Sequence, residues 1–243
     1  MIHRKSHMKP CAWHPLHIRF ILDLNLPIHY NCRIMITGIP AKLMIDLRMI
    51  PRDRPVALLM RHAARFPILD PALTFEIGLT EEGVRTAEEL GSLLSDWFQP
   101  GRFLAAPVGR CLDTAAAIAR GAGWTVDVLP DDRLSHPFMA PAFGIMTQEQ
   151  VNEALPVQVR VALDLLLHAP DLATFEPGPR LDVMVTHDTV LGTLVSGLMH
   201  EPITQKNWPG YLEGLFIWEA GGQVHARWRG EEAIIDEQLV QVE

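Results

Sequence analysis

The chain has 243 residues, 48% apolar and 21% charged, a globular composition that excludes intrinsic disorder of the whole. Its formal net charge of −8 excludes the broad positive surface that nucleic acid or anionic lipid requires, while leaving room for a small anion bound by a local arginine cluster. The 3 cysteines, Cys11, Cys32 and Cys111, are odd in number and lack a CxxC pair, which argues against a disulfide framework or zinc site and fits a cytoplasmic protein. No apolar run approaches the roughly 20 residues of a membrane span.

In chain order, residues 1–50 mix His, Pro, Arg and Met without a period of 3.6 or 2. They are expected to be a poorly ordered extension, or one that precedes a true start at Met35, Met44 or Met49. The folded domain is expected over 51–243. Val56 to Met60 form a continuous apolar run behind a proline, the pattern of a strand buried on both faces of a parallel sheet. "LTEEGVRTAEELGSLLSDWF" predicts a helix capped by Thr80, acidic in its first turn, with Val84, Ala87, Leu90, Leu94 and Trp97 as its apolar stripe. "RFLAAP" reads as a buried strand, "VGRCLDTAAAIARGAG" as a helix stopped by glycine, and "WTVDVLP" as another strand.

Helical segments are expected from Thr147, divided at Pro156, and residues 133–169 are the material for a small cap. "LDVMVTHD" then predicts a buried strand and "TVLGTLVSGLM" its helix. "YLEGLFIWEA" and "QVHARWRG", joined by Gly221-Gly222, predict a hairpin, and the acidic end after it a solvated tail or short final element. Strands alternating with helices imply an α/β single domain: a mainly parallel sheet covered on both faces, with an antiparallel hairpin at one edge.

Ligands of such sheets bind beyond the carboxyl ends of the strands. Polar groups arrive there in three places: Arg61, His62 and Arg65 in "LLMRHAARFP", Arg110 after the second strand, and His187 with Asp188 after the last. Three guanidiniums suit the oxygens of a phosphate, and an imidazole among them can donate a hydrogen bond or attack phosphorus. Taken singly, Arg61 or Arg65 would be a surface ion pair with Asp70 or Glu76, Arg110 a partner of Asp113, and Asp188 an N-cap. Cys111 reads as a small buried residue. Trp208, Trp218 and Trp228 lie ten apart, and the two in the hairpin, Trp218 and Trp228, read as packing residues.

These stretches resemble the histidine phosphatase superfamily. "MRHAARFP" is similar to its RHGxRxP signature, "LTEEGVRTAEELG" to its LTxxGxxQAxxLG helix, "APVGRCLDTAAAIA" to its SPxxRxxxTAxxIA segment, and "VTHDTVLGTL" to the HD motif of the acid phosphatase and phytase-type branch. The resemblance runs from about Val56 to Met199 and implies a phosphoglycerate mutase-like fold. Carried over by position, it implies that His62 is a nucleophile forming a phosphohistidine, that Arg61, Arg65, Arg110 and His187 bind phosphate, and that Asp188 is the general acid. It also implies that no metal or cofactor is required. Two departures stand out. Ala63 replaces the usual glycine, and Ser135 stands where the mutase-like branch carries a glutamate. Glu149 is then a substitute acid and His136 a further pocket residue.

The reading that follows is a metal-independent phosphatase of small phosphate monoesters, with no nucleic-acid or membrane partner and an oligomeric state that periodicity does not reveal. A mutase-like phosphotransferase and a non-catalytic binder of phosphorylated ligands are the alternatives. A metallohydrolase built on His62, His136, His187 and Asp188 conflicts with the adjacent arginines, which would repel a cation.

Overall fold

The structure is a computed structural model describing residues 38–135, 179–199 and 204–235. All belong to the second of the two units into which the chain divides, Ile36–Glu243. In chain order the elements are α1 (Ala41–Met49), β1 (Val56–Arg61), α2 (Glu81–Ser95), β2 (Gln99–Ala105), α3 (Gly109–Ala122), β3 (Val128–Pro130), β4 (Arg180–Thr186), α4 (Asp188–Leu198), β5 (Gly214–Ala220), β6 (Gln223–Trp228) and β7 (Glu231–Ile234). The strands form one seven-stranded sheet in the order β3-β2-β4-β1-β5-β6-β7. The first four are parallel neighbours, and β5, β6 and β7 are added antiparallel. This is the α/β architecture expected, with a parallel core and an antiparallel edge.

The central strands bear out the apolar runs: β4 is buried at every position and β1 at all but its last. The chain leaves β1 for β2 and leaves β4 for β5, in opposite directions across the sheet. The carboxyl ends of these adjacent strands therefore flank the crevice in which open α/β sheets hold ligands.

Helix α2 follows its sequence signals. The Thr80 hydroxyl accepts from Gly83 N at 3.0 Å, Glu81 and Glu82 occupy the first turn, and Ala87, Leu90 and Leu94 are buried. α3 ends on Gly123 in the left-handed conformation, φ 68°. The two helices pack so closely that a Cβ on Gly91 would stand 2.0 Å from the Ile118 carbonyl oxygen, and one on Gly121 2.0 Å from that of Glu88. Backbone cannot yield as a flexible side chain can, so Gly91→Ala is expected to destabilise the protein by about 1–3 kcal/mol. Thermal or urea unfolding checks this, and an unchanged midpoint would mean that α2 and α3 separate freely.

Three expectations are revised. Residues 1–50 are not uniformly outside the fold: Ala41–Met49 form α1, with Leu43 and Leu47 buried, while residues 1–37 lie outside the described residues. The cause is tertiary. Asp46, only 1% exposed, accepts from Gly230 N at 2.8 Å and ion-pairs with Arg227 at 3.2 Å, tying the helix to the far edge of the sheet. The strand expected over "WTVDVLP" shrinks to Val128–Pro130, because β2 offers only Phe103–Ala105 for pairing and Trp124 packs edge-on against Phe103 instead. Third, β2 begins at Gln99 with a register shift between Pro100 and Phe103. Asp182 fills the break, accepting from the Arg102 amide and Nε, each at 2.8 Å.

The hairpin turns at Gly221 and Gly222, whose φ of 61° and 77° few side chains tolerate. The acidic end supplies β7, so the short final element is present. The expected cap, apart from Arg133–Ser135, and the helical segments after Thr147 lie outside the described residues. Among those described, no helix is long and apolar enough to cross a membrane.

Candidate active site

β1 delivers His62 to the crevice. Its backbone N–H donates to Thr186 O at 3.0 Å, which extends the β1–β4 pairing by one residue and leaves the imidazole 2% exposed. Nδ1 lies 2.8 Å from the Ala63 carbonyl, and a carbonyl only accepts, so Nδ1 bears the proton and Nε2 the lone pair. Arg110 Nε donates to that lone pair at 3.1 Å. Burial pushes the His62 pKa down to about 3, with Arg110, Arg61 and His187 adding to the shift and the Ala63 hydrogen bond opposing it. The ring is thus neutral, with a free electron pair on the nitrogen that faces the guanidinium.

Arg110, near the start of α3, is 4% exposed. Besides His62 it donates from Nη1 to Thr74 O at 2.6 Å and from Nη2 to His187 Nδ1 at 3.3 Å, and no bond to Asp113 forms. Its helix is held against the turn after β1 by Thr114, whose hydroxyl accepts from Ala63 N at 3.0 Å and donates to Arg110 O at 2.7 Å. Ala63 is fully buried and is not among the residues with positive φ, so the Cβ that replaces glycine here costs no backbone strain.

β4 delivers the other half. His187 caps α4 and stands edge-on to His62, 5.5 Å between ring centres. Burial lowers its pKa to about 4, helped by Arg110, Arg61 and Arg65 and opposed by Asp188. Cys111 Sγ lies 3.7 Å from His187 Nε2, and burial pushes its thiol up to about 12, so the small buried cysteine expected is also an unreactive one.

Asp188 is the first residue of α4 rather than its cap. Its Oδ2 is 2.9 Å from Arg61 Nη2 and its Oδ1 accepts from Thr189 N at 2.9 Å. Burial raises its pKa, but the Arg61 charge, the Trp208 indole N–H, the Thr189 amide and His62 outweigh that, and the net shift is downward. Arg61 also donates from Nη1 to Pro209 O at 2.7 Å and stacks over the Tyr211 ring at 4.2 Å, while its buried Nε has no acceptor among the described residues. Arg65 is half-buried and donates from Nη1 to Phe66 O at 2.9 Å. Neither Arg61 nor Arg65 pairs with Asp70 or Glu76 among the described residues.

The structure therefore brings Arg61, His62, Arg110, His187 and Asp188 together, and leaves Arg65 three residues on with most of its donors uncommitted among the described residues. Glu149 and His136 lie outside the described residues. Ser135 donates its hydroxyl to Asp132 O at 3.0 Å. No group of three or more His, Cys, Asp or Glu among the described residues could hold a metal ion.

Sequence reasoning missed the loop 204–213. Trp208, which lies outside the predicted hairpin, is 40% exposed and bonded to Asp188, and the ring centre of Tyr211 lies 5.7 Å from that of His62. A guanidinium from the β6–β7 turn fastens this loop: Arg229 donates to Asn207 O at 2.8 Å, to Trp208 O at 3.1 Å and to both carboxylate oxygens of Glu213. Arg229 and Leu212 are the non-glycine residues at positive φ among those described, a strain that sits beside the site. Only the aromatic residues of "NWPGY" ahead of a hairpin could have signalled it.

Two buried neutral histidines make stability depend on pH. Below about 6.5 the unfolded chain takes up protons that folded His62 and His187 refuse, so stability is full above 6.5 and lost as pH falls toward 4 and then 3. The loss is expected to be about 2 kcal/mol per histidine by pH 5, on the order of 1.4 kcal/mol per pH unit. Urea unfolding between pH 5 and 8 measures it, and a flat profile would mean that one or both rings are protonated in the fold.

The profile of the histidine phosphatase superfamily (branch 1) matches residues 58–164. That branch designation lends no support to the acid phosphatase and phytase-type affinity read from the HD motif. No curated protein matches the chain. Among solved structures, the chain is similar to the protein histidine phosphatase SixA complexed with tungstate (15% identity, 71% of this chain and 94% of that one, TM-score 0.46). It is similar also to phosphoglycerate mutase from Bacillus anthracis (16%, 75% and 92%, TM-score 0.46) and to the ecdysone phosphate phosphatase of Bombix mori complexed with tungstate (14%, 68% and 90%, TM-score 0.47). The match over residues 58–164 is to the same superfamily that the ordered motifs of the sequence resemble.

Proposed function

We propose that this chain is a metal-independent phosphomonoesterase that works through a phosphohistidine on His62. The observation that carries the proposal is the His62–Arg110 contact: a buried, neutral imidazole whose Nδ1 proton is committed to the Ala63 carbonyl turns its Nε2 lone pair toward a guanidinium. A phosphoryl group entering there would meet the nucleophile and a positive charge together.

In the first step Nε2 attacks phosphorus, the bond to the ester oxygen breaks, and Asp188 gives a proton to the departing oxygen. In the second, water attacks phosphorus, Asp188 takes its proton, and the P–N bond breaks to release inorganic phosphate. Arg61, Arg65, Arg110 and His187 hold the non-bridging oxygens and balance their charge. The buried Arg61 Nε, which has no acceptor among the described residues, supports that assignment.

The lowered pKa of Asp188 asks for a source of its proton. Arg61 holds the carboxylate ionised in the free protein. An arriving phosphate engages the same guanidinium and sets negative charge beside Asp188, and both effects raise its pKa. A substrate monoanion brings the proton with it.

Hydrolysis of para-nitrophenyl phosphate with chelator present tests the proposal. Activity that survives chelator, is inhibited by vanadate and leaves acid-labile phosphate on His62 after rapid quench supports it. Phosphate binding without turnover would establish the non-catalytic binder instead, and transfer to added acceptors in preference to water the mutase-like phosphotransferase.

A further inference from the structure

The mouth of the site has a chemistry of its own. Nine large apolar side chains are exposed among the described residues, and five of them, Phe66, Leu69, Leu73, Phe75 and Trp208, lie on two segments fastened to the arginine pocket. The first segment is tied at two points: Phe66 O accepts from Arg65 Nη1 at 2.9 Å, and Thr74 O accepts from Arg110 Nη1 at 2.6 Å. Thr74 itself is buried, while its neighbours Leu73 and Phe75 are 43% and 47% exposed. The second is tied through Trp208, whose indole donates to Asp188 and whose ring is 40% exposed, and through Pro209 O on Arg61.

Charge on these segments is sparse and of the wrong sign for further phosphates. Residues 66–78 carry Asp70 and Glu76 and no Lys or Arg, and Lys206 is the one cation of residues 204–213. The cations of the site, Arg61, Arg65 and Arg110, stand at the position for a single phosphoryl group. Leaving so much apolar surface beside that pocket has a cost unless something apolar covers it.

We propose that the ester group accepted by this site is apolar and ring-bearing: the substrate is the phosphate monoester of an aromatic or other hydrophobic alcohol, not a sugar phosphate or a bisphosphate. The proposal rests on the reading of the pocket as a phosphomonoester site and adds the identity of the group that lies outside it. Trp208 is placed to contact the leaving group directly, since it borders the proton donor, and Leu73 and Phe75 flank Thr74, whose carbonyl holds Arg110. The acidic pair Asp70 and Glu76 disfavours a second phosphate.

The test compares 2-naphthyl phosphate, phenyl phosphate, glycerol phosphate and a sugar bisphosphate as substrates of the full chain and of Leu73→Ser/Phe75→Ser, whose exposed positions leave the core intact. The wild type is expected to prefer the naphthyl over the phenyl ester by roughly fivefold in kcat/KM, as burial of one more ring implies. Its preference over the bisphosphate should be larger still. In the double variant the naphthyl-to-phenyl ratio should fall toward one, with the phenyl ester changing by less than about threefold. A wild type without that preference, a preferred bisphosphate, or a ratio unmoved by the substitutions would each overturn the inference, the last pointing to residues elsewhere in the chain as the cover of this surface. The same ratio is read without turnover from the affinities of naphthylmethyl and benzyl phosphonates. A protein that hydrolyses no ester yet binds the naphthyl phosphonate more tightly keeps the inference and overturns the hydrolytic reading of the pocket; equal affinities overturn the inference alone.

Discussion

His62→Ala is expected to lower kcat for every phosphate monoester by about 10⁴ or more, because it removes the atom to which the proposed mechanism transfers the phosphoryl group. The loss should not come from unfolding. The ring is buried, and its removal leaves Arg110 Nε without its acceptor, which costs about 1–3 kcal/mol. Arg61, Arg65 and His187 remain, and with them binding of tungstate or vanadate, so calorimetric affinity within about tenfold of wild type would accompany the lost turnover. Rapid-quench phosphate labelling should disappear in the variant. Turnover that persists near the wild-type rate would place the nucleophile elsewhere.

Asp188→Asn is expected to separate substrates by leaving group. An alkyl alkoxide needs a proton as the P–O bond breaks, so glycerol phosphate hydrolysis should fall by about 10²–10⁴, the range for a positioned general acid. The nitrophenolate ion leaves unaided, so para-nitrophenyl phosphate should lose only about tenfold in the first step. Affinity should move the other way. The carboxylate holds Arg61 at 2.9 Å and repels a dianion, and the amide does neither so strongly; vanadate is expected to bind as tightly or more tightly.

The pH dependence follows from the same charges. His62 is neutral down to about 3, so protonation of the nucleophile does not limit activity above about pH 4. Asp188 is ionised in the free protein, its pKa lowered from the usual carboxylate value, so the proton for the leaving group arrives on the substrate monoanion. The second ionisation of a phosphate monoester lies near pH 6. The kcat/KM of the wild type is therefore expected to fall as pH rises beyond about 6, and Asp188→Asn to flatten that limb. Glycerol phosphate hydrolysis undiminished in the variant would move the acid to another group, with Glu149 and His136 the first to examine.

How much of this was legible in the sequence differs from residue to residue. β1 and β4 could be read because strands buried on both faces must be continuously apolar, and α2 because its stripe and its Thr80 cap are local signals. Helix α1 could not. Asp46 sits in the middle of it, a charge that looks like a surface residue until Arg227 and Gly230, more than 180 positions away in the chain, surround it. Trp208 carries no role in the sequence for the same kind of reason: only folding of the 204–213 loop under Arg229 turns its indole toward Asp188.

The arginines make the division clear. Residue type alone determined that Arg61, Arg65 and Arg110 could bind a phosphate, since guanidinium geometry and charge are properties of the side chain, and strand-end placement determined that they would lie at one edge. The partition of tasks among them was decided by tertiary structure. Arg110 became the partner of His62, and Arg61 the partner of Asp188, because α3 and α4 start beside the same two strands. The tautomer of His62 and the depressed pKa of both histidines are consequences of burial and close neighbours, and Asp188 is ionised because its neighbours, Arg61 above all, outweigh its burial. Chain order does not specify such distances; packing of the sheet against its helices does.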